Sequence, residues 1–121
     1  MTANLPGIVY QFKIDAAGKS SFPYVSPAIK RIFGIDAADV VADPDVWLDI
    51  IHPDDRSSIF ATTEESHRTL APWFWEGRKV RASGEVGWFR RSSIPRKQDD
   101  GSVLWTGLEF DITEQKRERK R

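Results

Sequence analysis

The residues best equipped for chemistry are two histidines and the carboxylates beside one of them. His52-Pro53-Asp54-Asp55-Arg56 sets an imidazole next to two carboxylates, a composition suited to metal binding or general acid–base work. Neighbouring residues on a helix point about 100° apart, however, so Asp54 and Asp55 do not converge. Pro53 suits a first helical turn, and both carboxylates suit the positive end of a helix dipole. The segment reads as a helix start. A hydrolytic triad has no better footing, because His52 and His67 are the only histidines and neither sits beside a nucleophile elbow. The sequence has no cysteine, which removes disulfides, thiolate metal ligands, thiol nucleophiles and cysteinyl-flavin chemistry together. No glycine-rich phosphate loop is present either. A noncatalytic segment without a metal site is expected.

The elements that would position any site follow from periodicity. Of the 121 residues, 40% are hydrophobic and 30% charged, as in an ordinary soluble domain. Eighteen basic residues balance eighteen acidic ones, so no global field draws in nucleic acid or an anionic membrane. No apolar run approaches the ~20 residues of a membrane span, and no signal peptide opens the chain. A cytoplasmic segment with no membrane contact is the expectation. Residues 8–14 alternate, with Ile8, Tyr10, Phe12 and Ile14 on one side, as a half-buried strand does. A turn at Gly18 leads to a second strand over 22–25. Ser26 and Pro27 open a helix that Gly34 stops. Asp36 and Asp43 cap two very short helices. The long helix after His52 runs to Thr69, with Ile59, Thr63, His67 and Leu70 on one side. Strands over 73–81 and 86–94 flank a turn at Gly84, and Asp100-Gly101 turns the chain into a last strand over 103–110. Two strands, several helices and three strands make an α+β domain with helices on one face of an antiparallel sheet.

The end of the chain changes character abruptly. After Phe110 the strand gives way at Asp111-Ile112-Thr113 to Glu114-Gln115-Lys116-Arg117, good helix formers that Thr113 can cap. A buried strand running directly into a charged helix would pass a change inside the domain to whatever follows it. Asp111, Ile112 and Thr113 are therefore taken as the signal output. The basic residues of 116–121 fit a helix pairing with its own copy better than a phosphate-binding tail.

The order of these elements and three motifs resemble the PAS family of bacterial sensory domains. Leu5-Pro6-Gly7-Ile8-Val9-Tyr10 resembles its first strand, and Phe22-Pro23-Tyr24-Val25-Ser26-Pro27 with Phe33-Gly34 its second strand and first helix. Ile51-His52-Pro53-Asp54-Asp55-Arg56 resembles the mid-domain motif, and residues 105–117 the terminal strand and linker. The resemblance implies a five-stranded antiparallel sheet in order 2-1-5-4-3, with a sensory domain over 5–113 and a linker helix starting at 114–121. It also implies a homodimer feeding a histidine kinase, as in a two-component system, or a cyclic-dinucleotide enzyme such as a diguanylate cyclase, carried in the same chain.

Cofactors follow from the same resemblance. Some relatives bind haem through a histidine on the long helix, but Ile59 occupies that place here, and His67 lies near the helix end. The flavin photosensor branch needs a cysteine that is missing. No cofactor is expected; an unknown small ligand is open, with a haem- or flavin-carrying receptor as the alternative. Aligning the strands with the flavin branch turns Lys79, Phe89, Arg91 and Glu109 toward a pocket. Either the three charged residues pair with one another and a polar ligand, or a bulge shifts the register and they face water. The desolvation cost, several kcal/mol for unpaired charges, favours the second. With Glu109 inward, Thr106, Leu108, Phe110 and Ile112 share the outer face, which no helix of the domain is left to cover. Leu108 and Phe110 are expected to form the dimer interface.

Overall fold

The computed structural model describes residues 7–119, so the readings for Leu5, Pro6, Lys120 and Arg121 lie outside the described residues. The alternation at the chain start becomes β1 (Gly7–Ile14), which pairs with β2 (Ser20–Val25). The helical stretch gives α1 (Ala28–Phe33), α2 (Ala37–Ala42), α3 (Asp45–Leu48), a single 3-10 turn over Pro53–Asp55, and α4 (Arg56–Thr69). Then come β3 (Trp73–Val80), β4 (Val86–Lys97), β5 (Val103–Asp111) and α5 (Thr113–Arg119). The five strands form one antiparallel sheet in order β2-β1-β5-β4-β3. The last strand thus lies centrally beside the first. No helix among the described residues is long and apolar enough to cross a membrane.

One face of the sheet carries the core. Ile8, Tyr10, Phe22, Trp73, Trp75, Phe89, Val103 and Trp105 are all buried on it. The helices cap that face with Ile29, Phe33, Val40, Trp47 and Ile59. Trp47 is fully buried, its ring centroid 5.9 Å from Tyr10 and 5.2 Å from Phe22. Gly34 ends α1 in the left-handed region at φ 74°, where a side chain would be strained.

Several local readings change. Ser26 does not cap α1; its Oγ accepts the Val9 amide at 3.0 Å and ties the helix entry to β1. Asp36 precedes α2 without a side-chain cap bond and pairs with Lys30 at 3.3 Å instead. β4 continues three residues further than expected, through Pro95. Beyond Ser93 it has only β5 as a partner, so a residue lacking an N–H fits there.

α4 buries Ile59 and Ser66, while His67 and Leu70 are exposed. Position i+7 returns to the same side of a helix, whereas i+8 drifts off it. The buried side is hydroxylated because it faces tryptophans. The indole N–H groups of Trp75, Trp73 and Trp105 donate to Ser58, Thr62 and Ser66 at 2.9, 3.0 and 2.9 Å. Asp55 does more than favour a helix start. It accepts from the Arg78 amide and both ends of its guanidinium at 2.7–3.0 Å, locking α4 to β3, and that bonding holds its carboxyl below the usual range. His52 Nδ1 accepts the Asp54 amide, as a helix-start residue does.

Candidate functional site

Strand register decides the site. Arg91 on β4 stands directly opposite Glu109 on β5, and both point inward with Lys79 of β3 beside them. The register that would turn these charges to water is not the one adopted: Lys79, Arg91 and Glu109 are 0%, 6% and 1% exposed. Mutual pairing makes this affordable. Lys79 Nζ and Arg91 Nε donate to the same oxygen, Glu109 Oε1, at 2.7 and 2.5 Å, while Oε2 has no partner among the described residues. Aromatic rings supply the rest of the solvation. The Arg91 guanidinium lies 4.1 Å from the Trp47 ring centroid and 5.1 Å from that of Tyr10; Lys79 Nζ is 4.6 Å from Trp47.

Two cations share one carboxylate, and the protonation of Lys79 and Glu109 reflects it. Burial, then repulsion from Arg91, pushes the Lys79 ammonium down to about 7 against the pull of Glu109. Burial raises Glu109, but Lys79 and Arg91 together outweigh it and hold the carboxyl below its usual range. The directions agree physically: the anion gains from both neighbours, whereas the Lys79 ammonium is penalised by Arg91.

Beside this cluster lies a cavity of about 180 Å3. Its walls are mainly Phe12, Phe22, Trp73, Trp105 and Ile59, its inner polar groups are Tyr10, Arg91 and Ser93, and Asp45 and Phe60 stand at its mouth. Of the four residues expected to face a pocket, Arg91 lines it. Lys79 and Glu109 lie behind Arg91, and Phe89 packs on the Phe33 ring at 4.9 Å. Ile59 does line the cavity, while His67 is outside it with its ring against Trp105. Among the described residues no cluster of His, Cys, Asp or Glu could hold a metal ion.

A second cluster closes the strand end. Asp111 accepts from the Thr113 amide at 3.0 Å and pairs with Arg81 at 2.9 Å. Thr113 is not an N-cap. Its hydroxyl donates to Asp111 at 2.6 Å and accepts from the Trp88 amide at 3.0 Å and from Arg81 at 2.6 Å. Ile112 is buried, and its amide donates to the Trp88 carbonyl. α5 partly covers that face: Lys116 pairs with Glu76 at 3.0 Å and lies 4.7 Å from the Trp88 ring centroid. Arg81 ends the strand expected over 73–81, and nothing in the sequence marks its partner Asp111, 30 residues away.

The family model for the PAS fold matches residues 22–108. The chain belongs to the PAS family. Solved PAS-like structures agree with the architecture. The N-terminal domain of a Marinobacter aquaeolei diguanylate cyclase with a PAS/PAC sensor superposes with TM-score 0.72 at 20% identity, covering 89% of this chain and 98% of that one. A domain of a putative light- and redox-sensing histidine kinase of Haloarcula marismortui gives 0.70 at 23%, covering 93% and 95%. The PAS domain of the Cronobacter turicensis quorum-sensing receptor RpfR, in complex with BDSF, gives 0.69 at 11%, covering 93% and 100%. A curated relative, the uncharacterised protein y4lL of Sinorhizobium fredii, is 34% identical over 71 residues, 58% of this chain. The match spans 9% of that protein's length. In this PAS domain the outer sheet face exposes Phe74, Ile94 and Leu108, whereas Phe110 is half-buried with its ring over Gly7.

Proposed function

We propose that this PAS domain is a noncatalytic sensory and dimerisation module: a small molecule in the cavity beside Arg91 biases the join between β5 and α5, and with it a downstream effector. The observation that carries the reading is the placement of Glu109 and Asp111 two residues apart on one strand. Glu109 belongs to the charge cluster behind the cavity, and Asp111 to the latch that starts α5. A shift of β5 that relieved one would load the other. Coupling then requires only that the ligand bind the two arrangements unequally. The effector is a kinase or a cyclic-dinucleotide enzyme in the same cytoplasmic protein, a reading supported by the sensors that share the fold. The Cronobacter turicensis domain in complex with BDSF supports a receptor role.

The cavity, at about 180 Å3, falls below the ~300–1,000 Å3 of pockets that enclose drug-sized ligands. That size supports a ligand smaller than haem or flavin. The purified protein is expected to be colourless, and a Soret band or flavin absorbance surviving gel filtration would overturn this.

The latch gives the direct test. In the intact protein, Asp111→Ala removes the Arg81 pair and two bonds to Thr113 at a partly exposed site. The expected loss of stability is about 1–2 kcal/mol, leaving a folded domain whose effector no longer follows the stimulus. A normal stimulus response in a folded Asp111→Ala protein would sink the coupling role.

A further inference from the structure

The inner end of the cavity holds three unspent hydrogen-bond donors. Tyr10 Oη and Ser93 Oγ are buried and face each other closely enough for Ser93 to act on the phenol, but neither has a partner in full hydrogen-bond geometry among the described residues. Arg91 spends Nε on Glu109, and its Nη groups make no hydrogen bond among the described residues. The register brings the hydroxyls together: Tyr10 and Ser93 stand on either side of Gly107, in a row where β5 has no side chain. A Cβ there would drive into the Ser92 carbonyl and Ser93. Buried polar groups of this kind cost stability unless something satisfies them.

We propose that the cavity is built for a small carboxylate, its head held by the Arg91 Nη groups and the Tyr10 and Ser93 hydroxyls, its apolar body against Phe22, Trp73 and Ile59. The proposal deepens the sensory reading and rests on it for the cavity being the input. Donor chemistry sets the head group. Arginine can only donate. Burial pushes the Tyr10 hydroxyl up to about 12, although Arg91 and the Ser93 hydroxyl pull it down, so it keeps its proton to give. A ligand atom that accepts from all three is an oxygen, best a charged one.

Charge and size agree with this. The cluster contains two cations and one anion; Asp45, the other acid at the cavity, is exposed at its mouth. A ligand carboxylate supplies the second negative charge. A cavity of about 180 Å3 compares with the ~150 Å3 engineered cavity that takes benzene, room for one ring and a head group.

Binding is then linked to protons. The ionisable groups acting on Lys79 are Arg91 and Glu109, both of which also act on Tyr10; its remaining neighbours in the cluster are the rings of Phe33, Trp47 and Trp75. A second anion favours the charged ammonium, so the complex holds a proton that the free domain releases above pH 7. Affinity is greatest below pH 7 and falls as the pH rises above it.

The probe is benzoate, compared with benzamide, its uncharged near-isostere, by calorimetry on the 121-residue chain in two buffers of different ionisation enthalpy. Benzoate is expected to bind saturably with proton uptake near pH 7.5, and benzamide at least tenfold more weakly. Tyr10→Phe and Ser93→Ala should each weaken benzoate about tenfold. Each should leave thermal stability unchanged or raised, since it deletes a hydroxyl without a protein partner in full hydrogen-bond geometry. Phenylacetate and hexanoate test the body. Equal binding of benzamide, undiminished benzoate binding in both variants (hydroxyls satisfied by water alone), or no saturable binding of any of the three carboxylates at millimolar concentration overturns the proposal. Benzoate binding as described, with no shift of the Asp111 or Thr113 amide resonances, supports the carboxylate site while removing the sensory reading.

Discussion

Glu109→Leu is expected to cost the domain about 3–5 kcal/mol at pH 7, the usual penalty for leaving a buried charge unpaired. The variant strands two buried cations at once, Lys79 and Arg91. They respond differently. Lys79 can shed its proton, because it is already held down to about 7 in the intact cluster. Arg91 cannot. The deficit should therefore shrink but not vanish as the pH rises from 7 to 9. The intact domain shows the same linkage with a definite sign. Between about 7 and the ordinary 10.5 the unfolded chain keeps a proton on Lys79 that the folded chain has given up. Stability from this group accordingly rises with pH across that window. Glu109, held low, works at the other end: its contribution is present above the usual carboxylate range and is lost as the pH falls below it. Replacing all three residues together (Lys79→Met, Arg91→Leu, Glu109→Leu) should restore most of the loss, since an apolar trio of similar volume avoids the desolvation altogether. Urea denaturation across pH measures each term. A Glu109→Leu domain within 1 kcal/mol of the parent at pH 7 would show that the cluster is not held by its carboxylate.

Alignment with the flavin branch of the family had already turned Lys79, Arg91 and Glu109 inward; what argued them back out was the cost of burying charge. That cost is local and readable, but its compensation is not. Trp47 on α3, Tyr10 on β1 and Trp73 on β3 are far apart in the chain, and only the closed sheet brings their rings around the guanidinium. Sheet order, the Gly34 stop and the abrupt turn into α5 were legible because each rests on neighbouring residues or on whole-motif resemblance. The ties that join elements were not. Asp55 fits a helix start, yet its main bonds run to Arg78 on β3. The buried side of α4 lacked an apolar stripe because its hydroxyls answer tryptophans from the sheet. The cavity's Ser93 was visible only as the next inward position after Phe89 and Arg91.

Aspartate at both Ile94 and Leu108 is expected to leave a folded monomer where the parent is expected to form a homodimer. The interface is expected on Leu108 and Phe110, and the exposed Phe74 and Ile94 extend the same face. Phe110 is half covered already, its ring lying over Gly7 on the neighbouring strand. Leu108 shares a cross-strand row with Val9, Ser92 and Phe74, and Ile94 sits two residues along β4 from Ser92. Phe74 and Ile94 are 63% and 59% exposed, large values for residues of their type. A second copy of the chain is the occupant that suits this patch. The chain carries no net charge to repel its own copy, and the cations beside the patch, Arg90 and Lys116, are both paired with Glu76, at 2.6 and 3.0 Å. Covering Ile94 and Leu108 contributes about 3–5 kcal/mol before association costs, which corresponds to a loss of at least a hundredfold in dimer affinity when both become charged. Neither side chain is in the core, so the fold should survive, as judged by an unchanged cooperative melt. Sedimentation velocity over a concentration series separates the outcomes. A parent chain that stays monomeric at high concentration, or a double variant that still dimerises, would place the interface elsewhere.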